Sequence, residues 1–424
     1  MRVLDPSEVD HDVPAAVGAC LGDLLEQRLE EAEATDPVFA ADLADRVARF
    51  ALTGGRRLRS VFLWWAMRGC GGGPREAPRA LGVAAALELI QTCALIHDDV
   101  MDGSAVRRGR PAVHVGMDQQ YGTAGRASPC GTFGGAAAVL AGDLALAWAD
   151  DAFVQAVRGA PQEERAARVW RVMRTEMVAG QYLDLHGQVT RATSATRAER
   201  SAVLKTARYT VAHPLALGAV LAGASERTQA RLREAGHSAG LAFQLHDDLQ
   251  GAFGDPAVTG KPVGEDIREG KATYLLAVAR ELCLREGDRA GLRLLDEVTG
   301  APSTRAADTG RASGAKSEAR PAHPASARNA RDARDGADGQ DIARVLDLLD
   351  RCGARERVSR RVRELCARGI REVRAAGLAP DAADRIGALL HAACTPGAPT
   401  GRPVAAAPPA ARDTAGPVLI GEAR

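Results

Sequence analysis

Residues 81–102, LGVAAALELIQTCALIHDDVMD, run from an apolar helical pattern into three aspartates. On a helix, Asp98 and Asp102 lie one turn apart and project from the same face. Carboxylates crowded in this way repel one another unless a cation neutralises them, and acidic residues are unfavourable at the negative end of a helix dipole. Hard oxygen ligands of this kind suit Mg²⁺, which also keeps room for waters and substrate phosphates. The stretch therefore predicts a buried helix that ends in a metal site.

A second apolar helical pattern leads into FQLHDDLQGAFGD at residues 243–255, which contains Asp247 and Asp248. Alone, this motif is as typical of an acidic surface turn as of a ligand site. Two helices with aspartates of this kind would share a metal cluster if they faced each other across a cavity. The sequence has no CxxC or HxxxH spacing that would favour zinc instead.

Basic residues complete the pattern. GGRRLRS at residues 54–60 places arginines just after a glycine turn, at a helix start where backbone N–H groups favour anions. Arginine forks also match phosphate oxygens bidentately. The other basic candidates are Arg107, Arg108, Lys205, Lys261 and Lys271. Together these sets predict two phosphate sites, one bridged by metal to the aspartates and one held directly by arginines.

The composition of the 424 residues limits the class of protein. The net charge of +1 gives no basic field that would attract nucleic acid, and an aromatic content of 4% disfavours a β-sandwich. No run of about 18 apolar residues predicts a transmembrane segment, and no signal peptide is visible at the start of the chain. We therefore expect an all-α, cytoplasmic protein.

Helical periodicity extends from Val13 to about Glu297 and resumes from about Gln340 to Ala393. The stretch between, about 298–339, has hardly any large apolar residue, which predicts a disordered insert. The tail, 395–424, is rich in Pro, Ala and Gly and is also expected to be disordered. The sequence thus predicts one α-helical domain over residues 1–394 with an insert.

These motifs closely resemble those of the trans-isoprenyl diphosphate synthases (the polyprenyl synthetase family), and most of all bacterial geranylgeranyl diphosphate synthases. GGRRLRS, HDDVMD and the following RRGRP resemble three family blocks. GQYLD (180–184), KTARYT (205–210), FQLHDD and GKPVGEDIREGKAT (260–273) resemble four more, in the family's order. The resemblance implies an all-α helical bundle of the isoprenoid-synthase type around a central cavity, usually a homodimer.

The resemblance also implies roles for individual residues. It implies about three Mg²⁺ ions, for which Mn²⁺ can substitute, held by Asp98, Asp102 and Asp247 with support from Asp248 and Gln181. The residues implied to hold the allylic diphosphate are Arg107, Lys205 and Lys261, with Lys271 nearby. Those implied to hold isopentenyl diphosphate are Gly55, Arg56, Arg59, Gln91 and Arg108. Thr206 and Gln244 would line the junction where the new bond forms, and the residues given a catalytic role are Asp98, Asp102, Asp247, Lys205 and Gln244.

Cys93 and Ala94, five and four residues before Asp98, occupy the positions at which family members limit product length. Neither is aromatic, so the expected product is C20 geranylgeranyl diphosphate, with a longer or a C15 product as alternatives. The sequence departs from the family pattern at two places of interest. Ser60 replaces a proline, which we expect to matter little, and Gly251 replaces the third aspartate of the second motif.

Two other functions fit parts of the pattern. A class I terpene cyclase needs only one diphosphate site, so the second arginine set argues against it. A non-catalytic regulatory partner of a heteromeric synthase usually loses an aspartate motif, whereas Asp98 and Asp247 both persist here. The expected activity is therefore chain elongation: an allylic diphosphate ionises with Mg²⁺, isopentenyl diphosphate adds, and pyrophosphate leaves.

Overall fold

The computed structural model describes residues 5–123, 131–190, 194–255, 263–268, 271, 273–298 and 339–394. Most of these residues are helical, as the sequence predicts. The N-terminal helices are α1 (Pro6–His11), α2 (Val13–Thr35), α3 (Pro37–Phe39, continued by a π segment Ala40–Ala44 and by Asp45–Leu52), α4 (Leu58–Gly69) and α5 (Ala77–Asp102). The proposed insert, the proposed tail and Lys261 lie outside the described residues, so the statements about them stay predictions.

The middle of the chain contains a short hairpin and five further helices. Strands β1 (Val106–Arg107) and β2 (Arg110–Pro111) pair antiparallel, with Arg107 opposite Arg110. The helices are α6 (Val113–Gln120), α7 (Phe133–Val157), α8 (Glu163–Thr190), α9 (Ala195–Ala202, continued by a π segment Val203–Ala212 and by His213–Leu221) and α10 (Glu226–Phe253). The sequence predicts two separate helices where the structure has the continuous α9. Pro214 lies at the junction where the π segment ends and the last α-helical part begins.

The C-terminal part consists of α11 (Glu265–Arg268), α12 (Tyr274–Glu286), α13 (Arg289–Val298), α14 (residues 339–351), α15 (Ala354–Ala375) and α16 (Pro380–Ala393). Apolar side chains on α14, among them Val345 and Leu349, are buried in the same cluster as Leu295 of α13. The chain therefore resumes after residue 338 as part of the same core.

Helix α5 lies at the centre of the larger hydrophobic cluster. It is long and apolar enough to cross a membrane, but 72% of its most apolar window is buried inside the protein. It packs chiefly against α7, whose facing side chains are small: Ala138, Ala141, Gly142 and Ala145 are all buried. Such side chains allow two helices to approach closely, so α5 is fixed along its length and its acidic end is held in place.

Candidate active site

Asp98 and Asp102 end α5 on one face, as the sequence predicts. The Asp98 Oδ1 atom accepts a hydrogen bond from Gln181 Nε2 at 3.0 Å and one from Lys205 Nζ at 3.2 Å. The side chain of Asp98 is 21% exposed. Helices α8 and α9 thus bring an amide and an ammonium group to the carboxylate of α5.

Close contact between two helices positions Lys205. A Cβ atom at Gly180 would lie 2.3 Å from the backbone nitrogen of Lys205, so only glycine lets α8 approach α9 here. The Lys205 ammonium also contacts Asp184 Oδ2 at 2.8 Å. Burial lowers the pKa of Lys205, but Asp184 and Asp98 outweigh that effect and the pKa is raised. Lys205 is therefore a fixed positive charge between two carboxylates.

Asp102 is paired with a different cation. Its Oδ2 atom accepts from Lys271 Nζ at 3.0 Å, and its side chain is only 6% exposed. The same ammonium group lies 3.8 Å from Asp266 Oδ1. Lys271 therefore connects the first aspartate motif to the chain that follows α10. Its predicted place near the allylic diphosphate stays a prediction.

Asp99, between the two outward aspartates, points into the protein and is fully buried. Arg107 Nε donates to Asp99 Oδ1 at 2.8 Å, and Arg107 Nη2 donates to the same oxygen. Burial raises the pKa of Asp99, although the hydrogen bonds from Arg107 oppose the shift. The family resemblance implied a direct role at the diphosphate for Arg107 and none for Asp99. In the structure Asp99 holds Arg107, whose guanidinium is also 3.9 Å from Asp98.

The second motif lies on α10. Asp247 is exposed, whereas Asp248 is buried and accepts a hydrogen bond from Gln244 Nε2 at 2.8 Å. Burial raises the pKa of Asp248 to about 7, and the hydrogen bond from Gln244 only partly offsets this. Gln244, predicted to line the reaction junction, thus also supports the acidic motif.

A second polar group surrounds Arg59. Its Nη2 atom donates to the Thr210 hydroxyl at 3.1 Å, and its guanidinium lies 4.3 Å from the centre of the Tyr209 ring. Three buried polar atoms here have no hydrogen-bond partner within the described chain: Arg59 Nε, Gln91 Oε1 and the Tyr209 hydroxyl. Buried polar atoms are rarely left unpaired, so this group is suited to a polar ligand. Sequence reasoning missed Tyr209, although it lies in the KTARYT block.

Arg108 belongs to the same region. It turns the hairpin with a positive φ of 54°, followed by Gly109 at 72°, and its Nη1 atom donates to the Thr53 carbonyl at 3.1 Å. Burial lowers the pKa of Arg108, an effect that Glu88 opposes and Arg107 reinforces. The turn therefore sends Arg107 and Arg108 to different sites, as the prediction of two phosphate sites requires.

The buried carboxylate of Glu88 on α5 contacts two residues of the arginine motif at residues 54–60. Glu88 Oε1 accepts from the Ser60 hydroxyl at 2.7 Å, and Glu88 Oε2 lies 3.6 Å from Arg57 Nη1. Arg57 adopts a φ of 48° just before α4 and turns its side chain inward, while Gly55 and Arg56 stay exposed. Our expectation that Ser60 matters little needs revision, because a proline there would lack the donor for Glu88.

The donor set fits magnesium. Among the described residues, no three acidic, histidine or cysteine side chains already converge as a preformed metal site. Asp98 and Asp102 nevertheless present hard oxygen atoms one turn apart, and their present partners are lysine ammonium groups that can also pair with phosphate. Thr206 is half-buried on α9, close in sequence to Lys205.

Residues 41–305 match the model of the polyprenyl synthetase family. The chain belongs to the polyprenyl synthetase family. Membership confirms the predicted family, the all-α fold and the class of enzyme, a prenyltransferase that elongates isoprenyl chains.

Proteins similar to this polyprenyl synthetase are named as synthases of isoprenyl diphosphates. It is 35% identical over 248 residues to the geranylfarnesyl diphosphate synthase of Aeropyrum pernix, covering 57% of this chain and 72% of that protein. It is 38% identical over 241 residues to the geranylgeranyl diphosphate synthase of Mycobacterium tuberculosis, covering 56% of this chain and 61% of that protein. Among solved structures, a geranylgeranyl pyrophosphate synthase from Corynebacterium glutamicum, complexed with isoprenyl diphosphate and magnesium, aligns with a TM-score of 0.74 and 32% identity over 89% of this chain and 98% of that one.

Proposed function

We propose that this polyprenyl synthetase condenses isopentenyl diphosphate with an allylic diphosphate, releases pyrophosphate and makes geranylgeranyl diphosphate as its main product. The observation that carries the proposal is the presence of two separate cationic groups. One surrounds the acidic end of α5, with Lys205, Lys271 and Arg107. The other surrounds Arg59 and Arg108 and includes unpartnered buried polar atoms. A terpene cyclase has no use for the second group.

At the first group, the allylic diphosphate takes the phosphate contacts of Lys205, Arg107, Lys261 and Lys271. Asp98, Asp102 and Asp247 hold about three Mg²⁺ ions, for which Mn²⁺ substitutes, with support from Asp248 and Gln181. Magnesium, when bound, stabilises the negative charge that grows on the departing pyrophosphate. Lys205 adds a fixed positive charge there, because Asp184 and Asp98 keep it protonated.

At the second group, Arg59, Arg108 and Gln91 hold isopentenyl diphosphate, assisted by Arg56 and Gly55. Binding there supplies the acceptor that Arg59 Nε lacks. The double bond of isopentenyl diphosphate then attacks C1 of the allylic group near Thr206 and Gln244. A proton is lost to the departing pyrophosphate, so no side-chain nucleophile is needed.

The growing chain runs along α5, below Asp98. Ala94 lies one turn below Asp98 on the same face, and the thiol of the adjacent Cys93 lies 3.7 Å from His97 Nδ1. Burial raises the pKa of the Cys93 thiol to about 12, so it behaves as a small neutral group. Deeper along the helix, Leu89 and Ile90 are fully buried and form the proposed floor. The Aeropyrum pernix relative, a geranylfarnesyl diphosphate synthase, favours a longer product as the second candidate.

The protein acts as a cytoplasmic homodimer. Helix α7 leaves an apolar stripe exposed, with Phe133, Leu140 and Val154 between 45% and 59% exposed. Val178 on the neighbouring α8 is 62% exposed. An apolar stripe shared by two helices is suited to a two-fold interface with a second copy of the chain.

One experiment tests the activity. The protein is incubated with isopentenyl diphosphate, Mg²⁺ and each allylic primer of increasing length, and the products are sized by chromatography. Incorporation of isopentenyl diphosphate into a C20 product is expected. A hydrocarbon formed without isopentenyl diphosphate would indicate a cyclase, and no product with any primer would favour the regulatory partner.

A second experiment tests product length. Cys93→Phe and Ala94→Phe should each shorten the main product by at least one isoprene unit, because an aromatic ring fills the passage while the metal site remains. Ala94→Ser, which nearly keeps the volume, is the matched control and should leave the product unchanged. An unchanged product from active Cys93→Phe and Ala94→Phe enzymes would show that the floor lies elsewhere.

A further inference from the structure

Gly251 stands where the second aspartate motif would carry its third acidic residue. It lies four residues after Asp247 on α10, so the two positions share a helix face in the same way as Asp98 and Asp102 on α5. A side chain at 251 would therefore project beside Asp247. Because Gly251 has no side chain, another residue can occupy that space.

The carboxylate of Asp266 fills this space. A Cβ atom built on Gly251 would lie 3.1 Å from Asp266 Oδ2 and 3.9 Å from Asp266 Cγ. An aspartate side chain at 251 would extend from that Cβ into the position that Asp266 now occupies. The Asp266 side chain is 29% exposed, so its oxygens remain accessible to a ligand.

The backbone holds Asp266 in this position. The Gly264 N–H donates to the Gly251 carbonyl at 2.8 Å, which attaches the connecting segment to α10 at the residue in question. Gly264 has a φ of 74°, and a Cβ there would lie 2.6 Å from Ile342 Cγ2 of α14. Next to Asp266, the side chain of Ile267 is buried. The placement of Asp266 is thus fixed from two sides.

Asp266 also faces the first motif. The Lys271 ammonium lies 3.0 Å from Asp102 Oδ2 and 3.8 Å from Asp266 Oδ1. One positive charge therefore bridges a carboxylate of α5 and the carboxylate beside α10. Cations that replaced the ammonium group would meet both carboxylates.

We propose that Asp266 supplies the carboxylate that the second aspartate motif lacks at position 251, and that it supports the bound magnesium ions from there. This inference rests on the proposed magnesium-dependent function. Asp266 is a positioning residue that acts on the metal cluster through its charge, and Gly251 is required because it leaves room for that carboxylate.

The test moves the carboxylate from one position to the other. Binding of inorganic pyrophosphate is measured by calorimetry at increasing Mg²⁺ concentration, for wild type, Asp266→Asn and Gly251→Asp/Asp266→Ala, in which the alanine vacates the space beside residue 251. Asp266→Asn should raise the Mg²⁺ concentration needed for half-maximal binding about tenfold, the lower end of the effect of removing a group that supports a metal ligand. The double variant should return it to within about threefold of wild type. A double variant that binds no better than Asp266→Asn would overturn the proposal, and so would an Asp266→Asn protein that binds as wild type does.

Two controls separate charge from shape. Gly251→Asn/Asp266→Ala has nearly the same volume as the double variant without the charge and should not recover binding. Gly251→Asp alone keeps every native side chain of residues 263–268 and should raise the Mg²⁺ requirement, because two carboxylates then compete for one position. If Gly251→Asp needed the same or a lower Mg²⁺ concentration than wild type for half-maximal pyrophosphate binding, the inference would be contradicted. This holds even if Asp266→Asn failed to fold. If wild type bound no pyrophosphate with Mg²⁺, the proposed function itself would fail, which is a different outcome from each of these.

Discussion

At the acidic end of α5 the buried Asp99 is held by a guanidinium group, whereas on α10 the buried Asp248 accepts from two neutral donors, the Gln244 amide and the Tyr274 backbone N–H. Both aspartates follow an outward acidic residue and both have a pKa raised by burial. The difference lies in the charge of the partner, because Arg107 is a cation whereas Gln244 and the Tyr274 backbone are neutral donors. Two similar sequence motifs thus place their buried carboxylate in two different environments, one beside a compensating charge and one without it.

The largest effect is expected at the outward aspartates. Asp98→Ala should lower kcat by about 10³-fold or more, because the leaving pyrophosphate loses stabilising cations. Asp247→Ala should have a large but smaller effect, since Asp98 also contacts Gln181 and Lys205. Steady-state kinetics with excess Mg²⁺ measures both.

Asp347→Asn is the matched control, since Asp347 is a 65% exposed carboxylate on α14. It should keep the wild-type kcat. Activity within tenfold of wild type in a folded Asp98→Ala protein would rule out the proposed metal site.

The second effect concerns stability at the buried ion pair. Asp99→Asn should lower the free energy of unfolding by about 3 kcal/mol, because it removes the nearest counter-charge of the Arg107 guanidinium, which is only 19% exposed, and leaves Asp98 at 3.9 Å. Urea unfolding of the single variants and of Asp99→Asn/Arg107→Gln gives the coupling. Strictly additive effects would show that the pair is not coupled. Asp248→Asn, the matched change on α10, should cost far less.

The third effect is a pH dependence of the free energy of unfolding that arises from Asp248 on α10. The pKa of Asp248 rises from 3.8 to about 7 on folding, so the folded protein holds a proton that the unfolded chain releases. The contribution of Asp248 to the free energy of unfolding is therefore greatest at low pH and is lost as pH rises to about 7. In metal-free protein, Asp248→Asn should gain stability relative to wild type between pH 5 and pH 8. A constant difference across this range would contradict the assignment.

The smallest effect is expected from the region between α13 and α14. Deleting residues 303–338 should leave kcat and Tm nearly unchanged, because loop entropy varies slowly with length and the deletion removes no side chain of the described core. Kinetics and a thermal melt of the shortened chain measure this. A drop in Tm of several degrees would show that the segment contributes to packing and would overturn the predicted single domain with an insert.

Periodicity and motif spacing in the sequence were enough to predict the helices, the outward pair Asp98 and Asp102, and the separation of two basic groups. The burial of Asp99 could also have been predicted, since neighbouring residues on a helix point about 100° apart and one face of α5 is apolar throughout.

Other features depend on how distant segments meet. The inward turn of Arg57 follows from a backbone conformation that sequence does not signal for arginine, and its partner Glu88 is 31 residues away. The contact of Asp266 with Gly251 depends on the path of the connecting segment. The sequence GEDIREGKAT alone does not indicate that the Asp266 carboxylate lies beside Gly251 of the second aspartate motif.

The contact between Gly264 and Ile342 has a consequence for how the enzyme is made. Both aspartate motifs are synthesised within the first 253 residues, but Ile342 of α14, which contacts the segment holding Asp266, follows 89 residues later. At about 5 to 20 residues per second, synthesis of the intervening chain takes several seconds. During that time the nascent protein has both acidic helices without the last support of its second motif, so the site is completed only after α14 has been synthesised.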